Sequence, residues 1–241
     1  MIIAKGENIE DLWLNLLVHT ACGNTSYFHP IINMRYLFAE TDNFNFENQT
    51  LYKDFFKYSD YNIGMKMGQL RKEYWTGKVE KQFTLIKEIF HDLKPNQARS
   101  SIYFSEPAFD KTSKLKCLES LYLQKLNKTE YEAFLIFRNT EIYPKLFMDF
   151  IYAKELLDEL DKSSKVKCVG FKAMIVNAFL NLHQVKLVEM LLKDWGVSKY
   201  SENFNKMLKE FDRKFSHESI SQIKLISIKR VLERTFTLME G

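Results

Sequence analysis

An α+β fold in a single domain spanning residues 1–241 is predicted by three observations. Two apolar runs with strand-like alternation, Leu115 to Leu126 and Tyr131 to Phe137, flank a short polar turn and read as a β-hairpin. Segments of helical periodicity are mixed with further strand signals along the chain, and the strands pair as hairpins. No Pro-, Gly- or Ser-rich linker divides the 241 residues, so one domain is the simpler reading.

Asn8 to Val18 opens the chain as an amphipathic helix, with Ile9, Leu12, Trp13, Leu16 and Leu17 at helical spacing and Asn8 as N-cap. Gly23, Asn24 and Pro30 mark a loop, and Ile31 to Ala39 reads as a second helix. Thr41 to Gly77 is rich in Asn, Tyr, Phe and Lys and poorly periodic; it reads as loops with short helices at Leu51 to Tyr58 and Met65 to Tyr74. Lys78 to Leu93 carries one stripe of Val79, Phe83, Ile86, Ile89 and Phe90, a helix that stops before Pro95. Ser101 to Ser105 is a buried strand, followed by the hairpin and then a helix over Glu141 to Leu160. Lys165 to Leu180 is a third strand signal. His183 to Trp195 is a helix closed by Gly196, and Glu202 to Phe215 and Ser219 to Met239 are two more.

Hydrophobic residues make up 46% of the chain and aromatic residues 15%, which is enough for a packed core and excludes a disordered chain. Three cysteines at wide spacing, Cys22, Cys117 and Cys168, form neither a disulfide framework nor a zinc cluster. The first residues lack a basic segment followed by a continuous apolar one, and no run approaches the roughly 20 apolar residues of a bilayer span. A soluble, cytoplasmic protein without a membrane partner is expected. The net charge of +4 comes from thoroughly interleaved charges and suits an anionic small ligand as well as a nucleic acid. The basic face of Lys224, Lys229, Arg230 and Arg234 is read as solvated, so no nucleic-acid partner is expected. The five histidines show no metal-ligand spacing, and no metal is expected.

Chemistry concentrates between Lys114 and Asp149. Cys117 opens the first hairpin strand, Arg138 ends the second, and Asp149 follows about two helical turns into the next segment. The runs Cys117-Leu118-Glu119-Ser120-Leu121 and Phe137-Arg138-Asn139-Thr140-Glu141, with Asp149 eleven residues after Arg138, resemble the thymidylate synthase superfamily. Within it they are most similar to the deoxycytidylate hydroxymethylase branch. Met67-Gly68-Gln69-Leu70-Arg71 and Asn96-Gln97-Ala98-Arg99-Ser100 are fainter echoes of the same family, so the resemblance spans roughly residues 30 to 195.

The resemblance implies a mixed sheet with hairpin strands flanked by helices, in an obligate homodimer packed sheet on sheet. It implies Cys117 as the nucleophile that adds to carbon 6 of a pyrimidine nucleoside monophosphate, its thiol activated by nearby guanidinium groups. Arg138 and, from the partner subunit, Arg99 would hold the phosphate, with Asn139 next to Arg138, and Arg71 would be a further substrate-binding residue. Asp149 stands where the family reads the base; a carboxylate matches cytosine and an amide matches uracil. Glu141 stands where the family contacts its co-substrate, 5,10-methylenetetrahydrofolate, and carbon 5 would leave with a hydroxymethyl or methyl group. The family's glutamate over the pyrimidine has no counterpart at Asn33 or Met34, and its sugar-binding His-x-Tyr pair falls on Ala178 and Leu180. These departures support an alternative: a catalytically inactive descendant that binds a nucleotide or a protein partner.

Overall fold

The structure, a computed structural model, describes residues 2–43, 80–88, 90, 92, 99–104 and 118–223. Its strands are β1 (Ile2–Lys5), β2 (Ser26–Phe28), β3 (Ile31–Thr41), β4 (Arg99–Tyr103), β5 (Leu118–Lys125), β6 (Glu130–Glu141) and β7 (Lys167–Asn181). Its α-helices are α1 (Ile9–Cys22), α2 (80–88), α3 (Phe147–Ser164), α4 (Val185–Asp194) and α5 (Glu202–Phe215). The strands make one mixed sheet in the order β1-β3-β7-β6-β5-β4, with β2 paired to β3. β5 and β6 form the expected antiparallel hairpin, while β6 and β7 run parallel and are joined by the crossover helix α3.

Helix α3 packs on the sheet through Phe150, whose ring lies 6.2 Å from Phe137 of β6 and 5.5 Å from Phe171 of β7. Helix α1 starts at Asn8, whose side chain accepts from the Asp11 amide at 2.9 Å, and it buries Trp13 against Phe147 at 4.7 Å. The Trp13 indole donates to the Ile142 carbonyl at 3.0 Å, tying α1 to the turn between β6 and α3. At the far edge, Gln82 of α2 satisfies both the amide and the carbonyl of Tyr103, which blunts edge strand β4.

Burial alternates along β3 and β6, and along β7 from Phe171 on, up to one position and then changes phase. The buried residues are Ile32 and Met34, then Leu37 and Ala39, in β3; Leu135 and Phe137, then Thr140, in β6; and Ala173 and Ile175, then Ala178 and Leu180, in β7. Two successive residues in each strand therefore escape burial: Arg35–Tyr36, Arg138–Asn139 and Val176–Asn177. Arg35 pairs with Asn177, and Asn177 pairs with Asn139, so the three steps lie side by side. Because all three strands take the step together, the pairing between them continues without a slip. Tyr36 accommodates the step at φ 56, the left-handed region that costs a non-glycine residue about 1–2 kcal/mol.

The face opposite α1 and α3 carries Phe38, Met174, Ile136 and Phe134, all partly exposed, with Ile3 at 48% and Tyr103 at 52% exposure toward the two edges. One end of this face bears charges of alternating sign: Lys5 on Glu40, and Lys172 on Glu132 at 3.0 Å. The other end is the row of outward polar residues at the phase change.

Two expectations need correction. Ile31 to Ala39 is strand β3, not a helix; the doubled outward step at Arg35–Tyr36 spoils its alternation and leaves apolar residues at spacings that imitate a helical stripe. The helix expected from Glu141 begins at Phe147, because Tyr143 precedes a proline and adopts φ −124 and ψ 128 within the π-helical segment Ile142–Leu146. Strands β1 and β2 were not anticipated at all, being short and weakly patterned. The segments Leu51 to Tyr58 and Met65 to Tyr74, and most of Ser219 to Met239, lie outside the described residues.

Candidate functional site

Of the sequence-derived candidates, the polar row at the phase change holds Arg138 and Asn139. Arg138 is half-buried and Asn139 exposed. Asn177 of β7 donates from Nδ2 to Asn139 Oδ1 at 2.7 Å, with Arg35 in register on its other side. Leu118, the first described residue of β5, pairs with Phe137, the residue before Arg138. The chain thus enters β5 beside the arginine, and Cys117 is the residue before Leu118 in sequence. Cys117 and Arg71 lie outside the described residues, as does the side chain of Arg99.

Glu141 stands apart from the row. Only 1% exposed, it receives hydrogen bonds at Oε1 from Gln184 Nε2 at 3.1 Å and from Asn181 Nδ2, while Lys145 Nζ approaches Oε2 at 3.3 Å. The carboxylate ties the end of β6 to the Leu182–Gln184 turn, where Asn181 and Gln184 also form a capping box. Asp149 is fully buried in the first turn of α3, a position the helix dipole favours for an acid. Ala178 and Leu180, on which the sugar-binding pair falls, are both fully buried, whereas their neighbours Asn177 and Phe179 are partly exposed.

Asn33 figures in the sequence only as a position where the family's glutamate has no counterpart, and Arg35 and Asn177 did not figure as candidates. The signal that could have found them is the polar residue interrupting each apolar alternation at Arg35, Arg138 and Asn177. It becomes visible only when the strands are aligned with one another.

Two further clusters are structural. Tyr131 donates to Asp161 at 2.7 Å, and Asp161 also accepts from the Cys168 amide at 3.2 Å. Burial pushes the Asp161 carboxyl up and the Cys168 thiol to about 12, so this thiol is no nucleophile at neutral pH. Glu210 of α5 accepts from Tyr27 and pairs with His29 Nδ1 at 2.7 Å, docking α5 on the β2–β3 hairpin.

Among the described residues, no group of three or more His, Cys, Asp or Glu side chains could hold a metal ion, and no helix is long and apolar enough to cross a membrane. No known family of proteins matches the chain, and no curated protein matches it.

Proposed function

We propose that the protein is a cytoplasmic enzyme that adds a one-carbon unit to carbon 5 of a cytosine nucleotide, as hydroxymethyl or methyl, through a cysteine adduct at carbon 6. The observation that carries this reading is the in-register row of Arg35, Asn177 and Arg138–Asn139, with β5 entering beside it one residue after Cys117. An arginine of this row would offer charge-assisted contacts to a phosphate, and a guanidinium near a cysteine favours its thiolate over its thiol. Addition of the Cys117 thiolate to carbon 6 makes carbon 5 nucleophilic. After carbon 5 has bonded to the one-carbon unit and lost its proton, the thiolate leaves from carbon 6.

5,10-Methylenetetrahydrofolate would supply the carbon at the methylene oxidation level and be released from it, as tetrahydrofolate where water adds to give the hydroxymethyl product, or as dihydrofolate where the folate itself gives the hydride that makes the methyl. Glu141, assigned to it by resemblance, is buried with both oxygens engaged, so it does not fit that contact in this arrangement. A second reading, a nucleotide-binding module without catalysis, is favoured by that engagement and by the buried Ala178 and Leu180.

The partly apolar sheet face supports a homodimer. Its occupant would be a second copy of the same face, since a row carrying both signs of charge meets its own complement when related by a two-fold axis.

Release of tritium from C5-labelled cytidine or deoxycytidine monophosphate, dependent on added 5,10-methylenetetrahydrofolate and abolished in Cys117→Ser, is the expected result. Nucleotide binding without release, together with ordinary alkylation kinetics at Cys117, would select the non-catalytic reading. Absence of both binding and release would overturn the two together.

A further inference from the structure

Two amide oxygens at the polar end of the outer face, Asn33 Oδ1 and Asn177 Oδ1, are shielded from water and make no hydrogen bond among the described residues. Leaving a buried acceptor unmet costs about 1–3 kcal/mol each, so two on adjacent strands call for a reason. Asn177 pairs with Arg35 and Asn33 pairs with Phe179, so the two asparagines are diagonal neighbours across the β3–β7 ladder. Such neighbours sit roughly 7–8 Å apart, within reach of two amide side chains that converge on one small group. Both residues are partly exposed, and turning an amide about its soft terminal torsion brings its oxygen to the surface.

The chemistry of the occupant follows from its surroundings. An acceptor needs a donor, yet a cationic donor would meet the guanidinium groups of Arg35 and Arg138 in the same row. An anion would meet the two carbonyl oxygens. The Asn177–Asn139 bond uses one N–H of one amide and one lone pair of the other and, whichever way the amides are turned, leaves one whole NH2 and one whole carbonyl oxygen. A neutral group that both donates and accepts completes this set, and two neighbouring hydroxyls complete both orphaned oxygens.

We infer that Asn33, Asn139 and Asn177 form a subsite for a vicinal diol, so that the nucleotide taken by this protein is a ribonucleotide rather than a deoxyribonucleotide. The inference rests on the nucleotide reading above and adds to it the sugar. It also replaces the buried Ala178 and Leu180 by half-exposed residues that can form hydrogen bonds.

Calorimetric titration of the full chain with cytidine 5′-monophosphate, deoxycytidine 5′-monophosphate and ribose 5-phosphate tests it. The ribonucleotide should bind roughly tenfold more tightly than the deoxyribonucleotide. Of Asn33→Ala and Asn177→Ala, the one that removes the partner of the 2′-hydroxyl should bring that preference to near unity, and the one that removes the partner of the 3′-hydroxyl should weaken both nucleotides alike; two variants that bind both nucleotides as the parent does overturn the subsite. Among the described residues the Asn33 side chain makes no hydrogen bond, so Asn33→Ala serves if Asn177→Ala proves unstable. Equal or tighter binding of the deoxyribonucleotide overturns the diol subsite and leaves the nucleotide reading standing. Failure of both nucleotides overturns the nucleotide reading. In that case, binding of ribose 5-phosphate that is lost in Asn177→Ala sustains the diol subsite, and its absence overturns that too.

Discussion

Glu189 is 7% exposed on α4 and is held between Lys186 at 2.7 Å and Lys193 at 2.8 Å. Burial pushes its carboxyl up, but the two lysines together outweigh burial, and the folded-state value lies below the ordinary one. A depressed carboxyl contributes stability that is fully present above the unfolded value of about 4.3 and is lost as pH falls through the lower folded value. Glu189→Gln should therefore cost about 0.5–1 kcal/mol at pH 7, allowing for solvent screening. Urea denaturation at stepped pH should show the gap from the parent protein closing as pH drops below 4; a gap constant with pH would mean that packing, not charge, is what the substitution removes. The same residue-level contest explains how far the candidate site was legible. Arg138 and Asn139 could be read because they follow directly on the clean alternation from Tyr131 to Phe137 and lie in the run Phe137 to Glu141 that carries the family resemblance. Arg35 and Asn177 could not, because each looks like an ordinary surface residue until the ladder brings it beside Asn139.

At the scale of elements, the turn from β1 into α1 depends on Gly6. A Cβ placed there would lie 2.3 Å from the Leu12 amide nitrogen, a distance backbone cannot yield to cheaply. The Gly6 amide also donates to the Glu40 carbonyl at 3.2 Å, which keeps β1 on β3. Gly6→Ala should lower stability by more than about 2 kcal/mol, read as a shift in the urea midpoint with little change in slope. An unchanged midpoint would mean that the turn relaxes without disturbing α1. Elements such as α1, α4 and α5 were legible because a helix declares itself through one local stripe and its caps. The hairpin was legible for a similar reason, since both of its strands are close in sequence. Strand β3 was not: its doubled outward step is matched by one on its ladder partner β7 and by another on β6 beyond it, both far away in sequence, and local periodicity carries no trace of them. The β6-to-α3 junction was misplaced by the same logic, since Tyr143 and Pro144 interrupt what apolar spacing alone would continue.

For the whole molecule, the question is what covers the second face of the sheet. Among the described residues, helices lie on one side of the sheet, and Ile3, Tyr36, Phe38, Ile136, Met174 and Tyr103 are exposed or partly exposed on the other. The proposed dimer would bury it in an isologous contact, and a stable one needs roughly 1,000 Å² or more of total area. Ile136 lies near the middle of that face, partly exposed, on the central strand β6. Ile136→Glu would set two carboxylates against each other across a two-fold axis while leaving the core beneath β6 untouched. Sedimentation equilibrium should give a dimer mass for the parent chain and a monomer mass for Ile136→Glu, with the far-ultraviolet circular dichroism of the two superimposable. Lys5 and Glu40, at the charged end of the face, provide the graded counterpart: Lys5→Glu should weaken the dimer modestly, and the weakening should fade in high salt because exposed charges are screened over about 10 Å at 0.1 M. A parent chain that sediments as a monomer at micromolar concentration would remove the dimer from the proposal, and with it any role for Arg99 of a partner subunit. The row of Arg35, Asn177, Arg138 and Asn139 would then have to hold its ligand from within a single chain.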